Sequence, residues 1–212
     1  MTRNNTILET KEFADVAKEI VATVHTLSQN GWTPATSSNF SSRIKRDDEL
    51  IAISKSGTDK NSFSIDHVMV IDKNGDAYAP LGCKPSAETL LHTMLYEDSA
   101  ISSVLHTHSA NATVISMQYG NEKCIKFSDF EILKGIQGNK THAITETVPI
   151  FRNSQDIDQV ANEVRTYKKS FPKMHGFLIE GHGLYSWGAS ISDAKRHIEV
   201  FEFLFECYLR SK

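Results

Sequence analysis

Short apolar runs with β character alternate with amphipathic helical stretches along the whole chain, and this interleaving restricts its fold more than any other feature. Residues 11 to 30 place Phe13, Val16, Ala17, Ile20, Val21, Val24 and Leu27 at helical spacing, and Gly31 stands where a C′ residue ends a helix. Strand-like runs follow at 50–54 and 67–72, the second closed by Asn74-Gly75, a hairpin signal that returns the chain through 77–79. A helix is predicted to open at Lys84-Pro85-Ser86-Ala87-Glu88, with Pro85 in its first turn. Beyond it come an apolar run at 100–105, helical character at 111–117, and a β-run at 147–151. Ser154 can cap a helix carrying Ile157, Val160, Ala161 and Val164. Strand character returns at 176–188, and a last helix begins near Ser190-Ile191-Ser192-Asp193. The alternation predicts one α/β domain over residues 1–212, a length that can bury a core without disulfide or metal staples.

The apolar run at 100–105 ends in His106-Thr107-His108. In a strand, side chains two apart project from the same face, so these imidazoles would stand side by side. Neutral imidazole is the commonest metal ligand, yet a bare His-x-His in a chain with nine histidines is as readily incidental. His182, between Gly181 and Gly183 with strand-like sequence on both sides, supplies a third. Three histidines with a position left open describe a catalytic zinc site better than a structural one. Imidazole also accommodates iron, nickel and copper. His25, His67 and His92 carry the blander expectation of surface or boundary histidines.

Three polar segments could contact an oxyanion: the hydroxyl- and amide-rich stretch 32–43, the turn Lys55-Ser56-Gly57, and the helix start at Ser86. Each could equally be a turn whose side chains satisfy local backbone groups. Glu88 in a first helical turn would ordinarily interact only with the helix dipole. Glu131 lies within the mostly apolar run 127–136, and beside a metal such a carboxyl could have the raised pKa that a general acid needs.

A net charge of −3 and a pI near 6.3 provide no electrostatic reason to expect nucleic acid or an anionic membrane as partner. No stretch approaches the ~20 apolar residues of a membrane span, and residues 1–5 have no apolar signal-type region. Cys83, Cys124 and Cys207 fit neither a disulfide framework nor a zinc ribbon, so reduced thiols and a cytoplasmic location are expected.

Five motifs, in order, resemble the class II aldolase family: Ser38-Asn39-Phe40-Ser41, Ser56-Gly57, Ser86-Ala87-Glu88, His106-Thr107-His108 and Gly181-His182-Gly183. Together they cover nearly the whole chain. The resemblance implies a three-layer α/β/α domain with a central mixed, mostly antiparallel sheet. It also implies Zn2+ on His106, His108 and His182, a phosphorylated ketose as substrate, and a homo-oligomer, commonly a tetramer. By position, Glu131 would be the catalytic acid/base and Glu88 a ligand or catalytic group. Asn39, Ser56, Gly57 and Ser86 fall where the family binds phosphate, with Ser38 and Lys60 as neighbours. The stretches 34–41, 56–60, 131–136 and 176–188 are most similar to the members that remove water from a methylthio-substituted ketose 1-phosphate in methionine salvage. An aldolase or epimerase on another ketose phosphate remains the alternative enzyme. A non-catalytic module like the adducin head domain remains the alternative class.

Overall fold

In the computed structural model, which describes residues 3–44 and 47–212, the apolar runs form a nine-stranded sheet and the amphipathic stretches form helices on both of its faces. The described residues contain five α-helices: α1 (Lys11–Gln29), α2 (Thr89–Leu95), α3 (Ala110–Gln118), α4 (Ile157–Ser170) and α5 (Ile191–Arg210). The strands are β1 (Asn39–Ile44), β2 (Asp47–Ser54), β3 (Val68–Asp72), β4 (Ala77–Ala79), β5 (Ser103–Thr107), β6 (Cys124–Ser128), β7 (Thr145–Phe151), β8 (Gly176–Ile179) and β9 (Gly183–Gly188). Across the sheet they run β4-β3-β2-β1-β5-β9-β8-β7-β6. Every pairing is antiparallel except β7 with β8, where α4 makes the crossover that parallel neighbours require.

Alternation along the central strands builds the three layers. Leu50 and Ala52 of β2, Val68 and Val70 of β3, and Leu105 of β5 face one core with α1, α3 and α5. Ile51, Ile53, Met69, Ile71 and Val104 face the other with α2 and α4. Thr10 caps α1 by accepting from the Phe13 N–H at 3.3 Å, and Gly31 follows the helix at φ +75°, where a Cβ would be strained. Ser190 caps α5 in the same way, through the Asp193 N–H.

Two element boundaries differ from expectation. Helix α2 begins only at Thr89: the residue before Pro85 is biased away from α geometry, and Ser86 Oγ accepts the Glu88 N–H at 3.3 Å, closing a turn instead. Glu88 is therefore the N-cap residue rather than part of the first turn, and its side chain makes no cap bond. Helix α4 is capped by Asp156, not Ser154. The three cysteines are free, and no helix among the described residues is long and apolar enough to cross a membrane.

Candidate metal centre and cleft

Register sets the site. Strand β5 lies between β1 and β9, and His106 pairs with Asn39 on one side and Tyr185 on the other, so the three stand in a row on the face that packs against α2. His106 is fully buried and its ring stacks on Tyr185 with centroids 3.9 Å apart. His108 follows just past the end of β5, where its N–H donates to Trp32 O. His182 sits in the turn joining β8 to β9. That turn can press against β5 only because residue 183 has no side chain: a Cβ on Gly183 would meet Thr107 O at 2.1 Å.

The three rings converge through Nε2, with separations of 2.7 Å for His106–His108, 3.1 Å for His108–His182 and 3.3 Å for His106–His182. His106 Nδ1 donates to Leu184 O at 3.0 Å, so its Nε2 carries a lone pair. Glu88 closes the group, with Oε1 3.0 Å from His182 Nε2 and Oε2 3.8 Å from His106 Nε2. All four donor atoms lie within 4.8 Å of one another.

Burial pushes the His106 imidazole well below its ordinary value and His108 down to about 4, so both are neutral at pH 7. Burial alone would push the Glu88 carboxyl up. The contacts from His182 and Asn39 and the nearby His106 outweigh it and hold Glu88 below the usual carboxylate range. Three imidazoles that direct nitrogens at a common point cannot all hydrogen-bond to one another, whereas a divalent cation uses each lone pair. Zinc–nitrogen bonds of about 2.0–2.1 Å imply tetrahedral N···N separations near 3.3 Å, which the His106–His182 edge matches. The other two edges must open by up to about 0.6 Å. The donor set therefore fits a metal ion, and His106 already has the outer carbonyl partner that orients a ligating imidazole.

Beside Glu88 and His182 opens a cavity of about 320 Å³, lined also by Ser56, Ser86, Asn153, Ser154 and Gln155. A larger cavity, about 720 Å³, lies at the opposite end of β1, β5 and β9 and contains none of these histidines. Convergent ionisable groups, not size, mark the smaller one as the candidate site.

A family model for the class II aldolase and adducin N-terminal domain matches residues 18–209. The chain belongs to this family. A methylthioribulose-1-phosphate dehydratase of Pseudomonas fluorescens (strain Pf0-1) is 46% identical over 198 residues, covering 93% of each chain. One from Marinobacter nauticus is 42% identical, over 97% of this chain and 98% of its own. The solved structure of an L-fuculose 1-phosphate aldolase superposes with a TM-score of 0.75 at 20% identity, covering 93% of this chain and 86% of that one, a likeness of fold.

Within this class II aldolase fold, Ser56 and Ser86 come to the cleft, with Gly57 beside Ser56 at φ +71°. Asn39 is buried and spends its amide on Glu88 and His92. Lys60 is also buried; burial lowers its ammonium to about 8, against the pull of Asp59, and Nζ donates to Thr58 O at 2.8 Å. Ser38 is buried next to Asn39. Glu131 is elsewhere: it opens a 3-10 turn (Glu131–Gly135), with 72% of its side chain exposed, and faces Lys134 and His142. Its neighbours Leu133 and Ile136 take the apolar burial, so the expected raised pKa is not found; the Lys134 contact holds its carboxyl below the ordinary range. His92, expected on a helix surface, is fully buried against Asn39 and Ser41 because α2 turns that face toward the sheet. Asn153 and Gln155 went unrecognised, their only signal being a polar cluster at the end of a β-run. Tyr185 was not singled out either, since an aromatic in an apolar strand ordinarily denotes core.

Proposed function

We propose that this chain dehydrates 5-methylthioribulose 1-phosphate to 2,3-diketo-5-methylthiopentyl 1-phosphate, with zinc in the three-histidine site, as a cytoplasmic homo-oligomer, a tetramer, in methionine salvage. The observation that carries the reading is identity of 40–46% to proteins named methylthioribulose-1-phosphate dehydratase across at least 92% of both chains. The cluster of Glu88, His106, His108 and His182 supports it.

Zinc held by the Nε2 atoms of His106, His108 and His182 would supply Lewis acidity at the C2 carbonyl, stabilising the charge that builds when the C3 proton is lost. In this reading Glu88, whose carboxylate stands against the histidines, takes that proton. Departure of the C4 hydroxyl as water then leaves an enol that becomes the diketone. Ser56, Gly57 and Ser86 hold the phosphate in this reading, because Asn39 and Lys60 direct their polar atoms into the protein and Ser38 is buried behind them. Glu131 is assigned the proton delivered to the leaving hydroxyl. Since it lies outside the cleft of its own chain, that role requires a neighbouring copy to bring it to the site and to change its present surroundings.

The test is to incubate metal-loaded protein with methylthioribulose 1-phosphate and follow products by mass spectrometry beside a chelated control. A metal-dependent product lighter by one water is expected. Aldehyde fragments would instead establish carbon–carbon cleavage, and an inverted sugar of unchanged mass an epimerase. Glu131→Gln should keep its metal and lose turnover by about a hundredfold or more.

A further inference from the structure

Behind Glu88 a line of buried side chains ends on its carboxylate. Asn39 Nδ2 donates to Glu88 Oε2 at 2.6 Å, which turns Asn39 Oδ1 toward His92 Nε2, 2.5 Å away. An amide oxygen only accepts, so Nε2 carries the proton of the His92 ring. On the other side of that ring, Nδ1 lies 2.7 Å from Ser41 Oγ, and Ser41 Oγ lies 2.8 Å from the Tyr96 hydroxyl. His92 and Ser41 have no exposed surface and Tyr96 is 6% exposed.

Burial pushes the His92 imidazole down to about 4 and the Tyr96 hydroxyl up, so both are neutral at pH 7. A neutral chain of this kind runs in one direction. Tyr96 donates to Ser41, Ser41 to His92, His92 to Asn39, and Asn39 to Glu88. The His92 ring also meets Tyr185, the residue that stacks on His106, in a T-shaped contact. Glu88 makes no cap bond to its own helix, and its Oε2 accepts from the Asn39 amide instead.

We propose that His92 is a positioning residue: acting through Asn39, it fixes the Glu88 carboxylate against His106, His108 and His182. The inference rests on the reading of the three histidines as a metal site with the Glu88 carboxylate beside it, and not on the identity of the sugar phosphate. In this proposal the Asn39 side-chain amide is the bridge between His92 and Glu88.

The test uses full-length protein and cobalt(II) as the probe, with affinity measured by chelator competition. His92→Leu removes both ring nitrogens at similar bulk, and cobalt affinity should fall about tenfold or more, as when the outer partner of a ligand is lost. His92→Gln, whose amide can still donate to Asn39, should recover most of that loss. In a Glu88→Ala background His92→Leu should cost little more, because an effect carried by Glu88 cannot be lost twice. Wild-type affinity in folded His92→Leu, or an equal further loss without Glu88, would overturn the proposal. If His92→Leu does not fold, Ser41→Ala takes its place: affinity must fall, and an unchanged value overturns the idea. No sugar phosphate enters these measurements, so their outcome is separate from that of the dehydration assay.

Discussion

Glu202 lies inside α5 at 1% exposure, with Oε2 accepting from the Ser109 hydroxyl at 2.7 Å and Oε1 without a hydrogen-bond partner. Burial pushes its carboxyl up to about 8, so the native state keeps a proton that the unfolded chain has lost. Stability from this group is complete below the ordinary glutamate range and is lost as pH rises through about 8. Glu202→Gln, which stays neutral, should therefore be more stable than the wild type at pH 8, by about 4 kcal/mol, with the gap closing toward pH 5. Urea unfolding across that range would show it, and parallel curves would sink the assignment. Such a carboxyl has no sequence signature, because Glu202 stands in an amphipathic helix whose sequence places acids on either face. Glu131 shows the opposite error. An acid among apolar residues suggested burial, but the first position of a short 3-10 turn points its side chain into solvent while Leu133 and Ile136 turn inward.

Among the elements, the β8–β9 hairpin is the one on which the candidate metal centre depends. Its turn carries His182, and its approach to β5 leaves no room for a side chain at 183, where a Cβ would lie 2.1 Å from Thr107 O and 3.1 Å from His106 Cε1. The nearest obstacle is backbone, which cannot swing aside. Gly183→Ala should cost about 3 kcal/mol or more and move His182 out of reach of the other two histidines. Thermal melting and bound-metal analysis of the purified variant would check this. A variant with normal melting and one equivalent of metal would show that the strands can part without consequence. Helix α2 makes a second point about elements. Its late start turns Glu88 from a dipole partner into a residue whose carboxylate reaches the histidines, a change of one turn that Pro85 and Ser86 decide locally.

At the scale of the whole molecule, Glu88, His106, His108 and His182 come together within one chain, but Glu131 is not near them. If copies share sites, a variant lacking the metal, His106→Ala, and one lacking the acid, Glu131→Gln, should each be inactive alone. Co-expressed, they should recover about one quarter of wild-type activity, since each mixed contact can join an intact cluster to an intact Glu131. No recovery in hybrids of confirmed mixed composition would remove Glu131 from the proposed mechanism. The sequence by itself determined the alternation of strands and helices, the pairing of His106 with His108 and the glycines around His182. These follow from periodicities of two and 3.6 residues and from the steric permissiveness of glycine, all local properties. It did not determine which helix face meets the sheet, and so left His92 on a surface and the Asn39 amide without its partners Glu88 and His92. Tertiary structure alone decided those positions. The register of β1, β5 and β9 sets Asn39, His106 and Tyr185 abreast, and packing of α2 over them brings Glu88 and His92 from positions far along the chain. Contacts at such sequence separation arise from how surfaces bury against one another, which no local pattern encodes.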